Sequence, residues 1–109
     1  MAKYLDLTVF QEETFEVRLS EEETLHVKKP SQRLVIDLMN YEKEFNNKKD
    51  PKKIVASFTS LIAKILSNNT EGKVFTQEYV ENKFSFEIGV VFIKSYVDFV
   101  SEVNSDPNL

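Results

Sequence analysis

The sequence predicts a small α+β domain with a three-stranded antiparallel meander over residues 1–29 and a bundle of three to four helices over residues 31–104. Three observations predict this class. Apolar and polar residues alternate with a period of two near the N-terminus, which is typical of half-buried strands. Apolar residues then recur every three or four positions, as on one face of a helix. The 109 residues fit a single domain, and residues 105–109 are expected to form a free end.

The predicted meander has three alternating apolar series separated by short acidic segments. The series are Leu5, Leu7 and Val9; Phe15, Val17 and Leu19; and Leu25 and Val27. Short connections favour antiparallel neighbours, so each strand is expected to pair with the next. A sheet of this size needs helices to cover its apolar face.

The first two predicted helices have recognisable boundaries. Ser31 follows Pro30 and can cap a helix over residues 31–47, whose apolar stripe is Leu34, Leu38, Tyr41 and Phe45. Asp50 and Pro51 restart the chain as a second helix, because Asp caps free amides and Pro suits the first helical position. The stripe of the second helix is Ile54, Phe58, Leu61 and Ile65. The segment 68–72 closes it, with Gly or Asn in a left-handed conformation.

The last third of the chain begins with Thr76 as a predicted N-cap. Residues 84–93 fit either a strand, because large apolar residues alternate there, or a helix. The series Phe86, Val90, Ile93, Val97 and Val100 keeps spacings of four and three over four turns. This length favours a helix over about 85–103.

Composition excludes many kinds of site. The chain has no Cys, one His and two Gly, so thiolate chemistry, multi-histidine metal sites and glycine-rich phosphate loops are not expected. We therefore expect neither an enzyme nor a bound cofactor. The net charge is −4, and the lysine cluster at 48–53 contains no Arg, so nucleic acid is not the expected partner. No signal peptide or run of about 20 apolar residues is present, which predicts a cytoplasmic protein without a membrane association.

The segment 67–78 has part of the pattern of an EF-hand calcium loop. Asn69, Glu71 and Glu78 occupy ligand positions, and Gly72 occupies the turn position. Ser67 stands where a carboxylate is usual, and Lys73 adds a positive charge. The favoured interpretation is a capped turn between two helices, and the alternative is a small regulatory module with a degenerate calcium loop.

The single histidine, His26, lies between Leu25 and Val27 in the third predicted strand. Its side chain is therefore expected on the charged face of the sheet, where it could pair with a carboxylate across the sheet. No second histidine or serine constellation supports catalysis.

The last predicted helix contains more apolar residues than one core-facing stripe needs. Either it is a central, nearly surrounded helix, or one flank is reserved for another chain. From the helix pattern, the candidate partner contacts are Phe92, Tyr96 and Phe99, with Phe58 and Ile62 as neighbours in a groove.

Several segments in this order resemble a known family. They are the acidic meander, the run His26–Ser31, the helix ending in a lysine-rich link, the run Ile65–Gly72, the run Phe75–Val80 and the run Ser95–Val103. The layout resembles the tail assembly chaperones of long-tailed phages and prophages of Gram-positive bacteria. The resemblance spans nearly the whole chain, and it is one of pattern.

The resemblance implies a non-catalytic helper protein in the bacterial host cytoplasm, made during tail morphogenesis. Such chaperones coat the hydrophobic tape measure protein, keep it soluble, help recruit tail tube subunits and are absent from the mature virion. Self-association as a homo-oligomer is open alongside binding of helical partners. Apolar helical surface without catalytic groups is compatible with this expectation.

Overall fold

A computed structural model describes residues 5–6, 13–46 and 50–105. The elements are β1 (Phe15–Arg18), β2 (Thr24–Val27), α1 (Gln32–Asn46), α2 (Pro51–Ser67), α3 (Gln77–Lys83) and α4 (Phe86–Ser105). The fold is α+β and mostly helical. Ser105 is the last residue of α4, and the rest of the predicted free end lies outside the described residues.

The predicted three-stranded meander is wrong. Within the described ranges the sheet has two antiparallel strands, with Phe15 opposite Val27 and Val17 opposite Leu25. Of the first predicted strand, Leu5 is 74% exposed and belongs to no strand, and residues 7–12 lie outside the described residues.

The connection between α2 and α3 takes the position of a neighbour along β2. Lys28 N–H donates to the Asn68 carbonyl over 2.7 Å, and Thr70 N–H donates to the His26 carbonyl over 2.9 Å. Val27 and Asn69 form an isolated antiparallel bridge between these two bonds. Residues 68–70 therefore provide hydrogen-bond partners for backbone groups on the outer edge of β2. The alternation of apolar residues could not predict this contact, because the loop lies about 40 residues away in the sequence.

The predicted starts of α1, α2 and α3 are confirmed by their caps. The Ser31 hydroxyl accepts from Leu34 N–H over 3.2 Å, the Asp50 carboxylate accepts from Lys52 N–H over 3.0 Å, and the Thr76 hydroxyl accepts from Tyr79 N–H over 3.1 Å. Gly72 has a φ of +72°, as expected for a left-handed reversal between helices. Each cap satisfies an amide that the first helical turn leaves without an intrahelical partner.

The ambiguity over residues 84–93 is settled in favour of a helix. The backbone of Phe84 is extended and closes α3, and the Ser85 hydroxyl then accepts from Ile88 N–H over 3.2 Å at the start of α4. The four-and-three periodicity therefore outweighed the β propensity of the individual residues.

The centre of the domain is α2. Seven of its residues are buried, namely Phe58, Thr59, Leu61, Ile62, Ala63, Ile65 and Leu66. The other helices and β2 pack on it. On α4, by contrast, Phe86, Ile88 and Val91 are between 51% and 63% exposed. The last helix is thus not the nearly surrounded element that one interpretation of the sequence predicted.

A glycine allows α4 to approach α2 closely. A Cβ atom added to Gly89 would lie 2.5 Å from Phe58 Cε2 and 2.9 Å from Ile62 Cδ1. Real Cβ atoms do not come so near, because van der Waals repulsion at these separations is severe. Gly89 therefore sets the distance between the two helices at this crossing.

Candidate partner-binding site

The candidate contact residues lie mainly in the chain's own core. Phe58, Ile62, Phe92 and Tyr96 are each at most 7% exposed, and Phe99 is half-buried. In this conformation their side chains contact other parts of the same chain. A partner would reach Ile62, Phe92 and Tyr96 only if the helices separated, whereas part of the Phe58 ring borders an open groove. The role of all five residues as partner contacts stays a prediction.

Three of these aromatic residues hold the sheet against α4. The Phe15 ring lies 6.1 Å from Phe92, 5.7 Å from Tyr96 and 5.6 Å from Phe99, measured between ring centroids. These separations are typical of tilted aromatic packing. Burial raises the pKa of the Tyr96 phenol, whose hydroxyl donates to the Lys28 carbonyl over 3.0 Å. Phe92, Tyr96 and Phe99 of α4 therefore pack around Phe15 of β1.

An open groove lies on the other side of α4. Tyr41 of α1, Phe58 of α2 and three residues of α4 (Val90, Ile93 and Val97) line it, and its volume is about 350 Å³. Lys94 and Asp98 stand at its edge, and both are exposed. We call this feature the α1–α4 groove. Phe58 is the only residue of this lining that the sequence had singled out as a partner contact.

The residues that sequence reasoning missed did carry a signal. Val90 and Val97 belong to the four-and-three stripe of α4, and Tyr41 belongs to the stripe of α1. Both stripes indicated core, because periodicity shows that residues share a face but does not show how fully that face is covered. Val90, Val97 and Tyr41 are only half-buried, since α1 and α4 leave the surface of α2 open between them.

Further apolar side chains are exposed on three helices and on the connection before α3. They are Val35, Ile36 and Met39 on α1, Val55 on α2, Val74, and Phe86, Ile88 and Val91 on α4. Scattered apolar residues are normal on a protein surface. Phe86 differs because its ring lies 5.0 Å from Phe58, so it continues the aromatic floor of the α1–α4 groove to the surface.

The segment 67–78 forms a closed hydrogen-bonded turn. The Ser67 hydroxyl accepts from Phe75 N–H and donates to the Phe75 carbonyl. Asn69 is buried. Its side-chain Nδ2 donates to the backbone carbonyls of Leu66 and Lys73, and its side-chain Oδ1 accepts from the backbone N–H of Lys73. These bonds engage the amide oxygen that a cation would need, which favours the capped-turn interpretation over the calcium loop.

Glu71 fastens this turn to the sheet. Its carboxylate accepts from the His26 backbone N–H over 2.9 Å, and the His26 Nδ1 atom lies 2.8 Å from its other oxygen. The Thr70 hydroxyl also donates to it. These bonds, the backbone bond above all, lower the pKa of Glu71 to about 2. The Glu71 carboxylate is thus engaged in hydrogen bonds within the chain and is not available to bind a calcium ion.

The predicted position of His26 on the charged face of the sheet is confirmed. Its Nε2 atom lies 3.7 Å from Glu16 of β1, directly across the sheet, and its Nδ1 atom faces Glu71. Nearby, Lys73 pairs with Glu23, and the hydrogen bond to Glu23 raises the pKa of Lys73. In the described part of the chain no three His, Cys, Asp or Glu side chains are grouped as metal ligands, and Glu78 stands exposed in the first turn of α3.

A second, more polar groove of about 700 Å³ lies between α1, α2 and the segment before α3. Lys64 and Asp37 form an ion pair in it over 3.4 Å. Leu34 and Ala63 form part of its floor, and Arg33 stands at its edge. Its charges are partly neutralised by the ion pair, and its shape is shallow and open.

Comparison of this chain with known proteins does not place it in a family. No protein-family model, curated protein or solved structure matches this chain. None of the helices in the described ranges is both long and apolar enough to cross a membrane. Of the two grooves described above, the α1–α4 groove has the less polar lining.

Proposed function

We propose that this chain is a non-catalytic tail assembly chaperone of a phage or prophage. In this role it binds the tape measure protein and tail tube subunits in the bacterial host cytoplasm during tail morphogenesis, and it is absent from the mature virion. The observation that carries the proposal is the α1–α4 groove, with Phe58 as its floor and Val90, Ile93 and Val97 along one wall. The pattern resemblance gives the groove a class of partner.

The groove suits a chaperone because it is apolar and accessible in the folded chain. A protein that keeps a long hydrophobic helix soluble must present apolar surface without unfolding itself. Phe86, Ile88 and Val91 extend apolar surface beyond the groove along the first turns of α4. Binding through these residues would bury them together with the partner's apolar residues, which is favourable by about 25 cal/mol per Å² of apolar area removed from water.

Co-expression with a tape measure protein tests the proposal. We expect the soluble fraction of the tape measure protein to rise when this chain is present, and the two proteins to purify together. An unrelated helical protein of the same size, expressed at the same level, is the control. A tape measure protein that stays equally insoluble with and without this chain contradicts the proposal.

The tail tube protein is tested separately. We expect it to join the complex of chaperone and tape measure protein in a pull-down from the same cells. Its absence from that complex, with the tape measure protein retained, would remove tube recruitment from the proposed function and leave the solubilising role in place.

A further inference from the structure

We infer that the α1–α4 groove binds one amphipathic α-helix of a partner protein, with an acidic residue of that helix opposite Lys94 and a basic residue opposite Asp98. The apolar stripe of the bound helix enters the groove, and its flanking charges meet the edge of α4. This inference deepens the proposed function and rests on it only for the identity of the partner as the tape measure protein.

The spacing of the groove wall suits a helical occupant. Val90, Ile93 and Val97 are three and four residues apart, and Phe86 and Val100 continue the series in both directions. A second helix can pack along a stripe with this period at a shallow angle. Side chains of each helix then fit between side chains of the other helix. An extended strand would instead require apolar contacts every two residues.

This stripe on α4 is only partly covered by α2. Ile93 is 7% exposed, whereas Val90, Val97 and Val100 are half-buried and Phe86 is 51% exposed. On the opposite wall, Tyr41 lies 5.8 Å from Phe58, measured between ring centroids, and it too is half-buried. Three helices thus contribute apolar side chains to a space that a fourth helix would fill.

The dimensions fit about two turns of helix. The wall from Val90 to Val97 rises about 10 Å along α4, at about 1.5 Å per residue. Two turns of a docked helix supply apolar anchors at positions i, i+3 or i+4, and i+7. The groove volume of about 350 Å³ is enough for side chains at these anchors, and the open side leaves the polar face of the docked helix in water.

The charges at the edge specify which helix fits. Lys94 and Asp98 are four residues apart and exposed, and neither forms an ion pair or hydrogen bond with any described residue. Lys64 and Lys73 are, by contrast, paired with carboxylates within the chain. An acid and a base spaced four residues apart on the partner would satisfy both edge charges at once and fix the register of binding.

A charge-swap experiment on the full chain tests the inference. The probes are two fluorescent synthetic 18-residue peptides with leucine and isoleucine in a four-and-three stripe and one flanking Glu–Lys pair four residues apart, in opposite orders. The protein variants are Lys94→Glu with Asp98→Lys, and a control swap, Glu81→Lys with Lys83→Glu, at exposed positions on α3. Both swaps keep the net charge. The first also places the acidic residue N-terminal to the basic one, the favourable order within a helix.

We expect the wild-type chain to prefer one peptide by about fivefold in Kd, as two exposed ion pairs allow. The Lys94→Glu/Asp98→Lys variant should reverse that preference, and the α3 swap should keep the wild-type preference. The methyl resonances of Val90 and Val97 should shift on binding, whereas those of Val74, which is 84% exposed outside the groove, should not. Absence of binding by both peptides, or a preference that the Lys94/Asp98 swap leaves unchanged, would overturn the inference.

Co-expression separates this inference from the proposed function. If the wild-type chain solubilises the tape measure protein and the Lys94→Glu/Asp98→Lys variant does so equally well, the groove assignment is wrong and the chaperone role stands. If the peptides bind in the groove but the tape measure protein is not solubilised, the groove assignment stands and the chaperone role is wrong.

Discussion

Gly89 of α4 lies directly against the ring of Phe58 of α2, with no room between them for a methyl group. The same ring forms the floor of the α1–α4 groove and contacts Tyr41 and Phe86. One glycine thus fixes the position of the aromatic residue on which both the helix crossing and the groove depend.

The substitution Gly89→Ala should lower the stability of the domain. Alanine favours a helix over glycine by about 1 kcal/mol, but overpacking a closed site costs about 1–3 kcal/mol. The added methyl group would meet both Phe58 and Ile62, which are at most 4% exposed and are held by their core neighbours. We expect a net loss of about 1 kcal/mol in the free energy of unfolding, measured by urea denaturation. The double variant Gly89→Ala/Phe58→Leu should lose less than the sum of the two single losses, and simple additivity would contradict the proposed clash.

The substitution Glu71→Gln should make the free energy of unfolding less dependent on pH below about pH 4.5. Because folding lowers the pKa of Glu71 from 4.5 to about 2, its ionised form stabilises the fold above about pH 4.5, and this contribution disappears as the pH falls towards 2. The urea midpoint of the wild-type chain should therefore fall across this interval more steeply than that of the variant. Glu78→Gln, at an exposed position in the same segment, is the matched control. Identical slopes for the wild type and Glu71→Gln would contradict the role of Glu71.

The substitution Asn69→Ala should destabilise the chain by about 1–3 kcal/mol, because it removes buried hydrogen bonds and leaves backbone groups without partners. The side chain of Asn69 is the link between Leu66 and Lys73 at the turn. Thr70→Ala, next to it but exposed, should cost much less. Thermal unfolding of both variants measures the difference, and equal losses would show that the Asn69 bonds contribute little.

Calcium should leave the melting temperature of the wild-type chain unchanged. The Asn69 and Glu71 oxygens are already engaged by Lys73 and His26, so a cation would have to break those bonds. Thermal unfolding with and without millimolar calcium checks this expectation. A rise in melting temperature that Glu78→Ala abolishes would instead support the calcium-loop alternative.

The substitution Tyr96→Phe should cost about 0.5–1.5 kcal/mol, the usual net value of one hydrogen bond. Its hydroxyl donates to the Lys28 carbonyl, which also accepts from the Asn68 side chain, so the carbonyl keeps one partner. Chemical denaturation measures the loss. Because Tyr96 is fully buried, Tyr96→Ala should cost more, about 3–5 kcal/mol.

Local signals in the sequence predicted the helices well. Ser31, Asp50 and Thr76 act within four residues of their own positions, and the four-and-three stripe of α4 extends over several turns. Such features depend little on the rest of the fold. This is why the cap positions and the helical state of residues 86–93 agree with the structure.

The errors concern contacts between distant segments. Alternation at Leu5 indicated a strand, but pairing depends on which sheet edge is available, and the 68–70 loop completes β2. Similarly, nothing in the α4 pattern showed that Phe15 covers Phe92 and Tyr96, whose role as partner contacts stays a prediction. Val90 and Val97 are only half-buried because α1 and α4 lie apart, and this separation cannot be read from the pattern of a single sequence.

The contacts of β2 also set an order for the folding of the nascent chain. β1 and β2 leave the ribosome before the four helices, yet Glu71 is 45 residues downstream of His26 and Tyr96 is 68 residues downstream of Lys28. Closing such long loops costs entropy that only the finished contacts repay. We therefore expect β1 and β2 to be fixed in place only after α2 and α4 have both emerged.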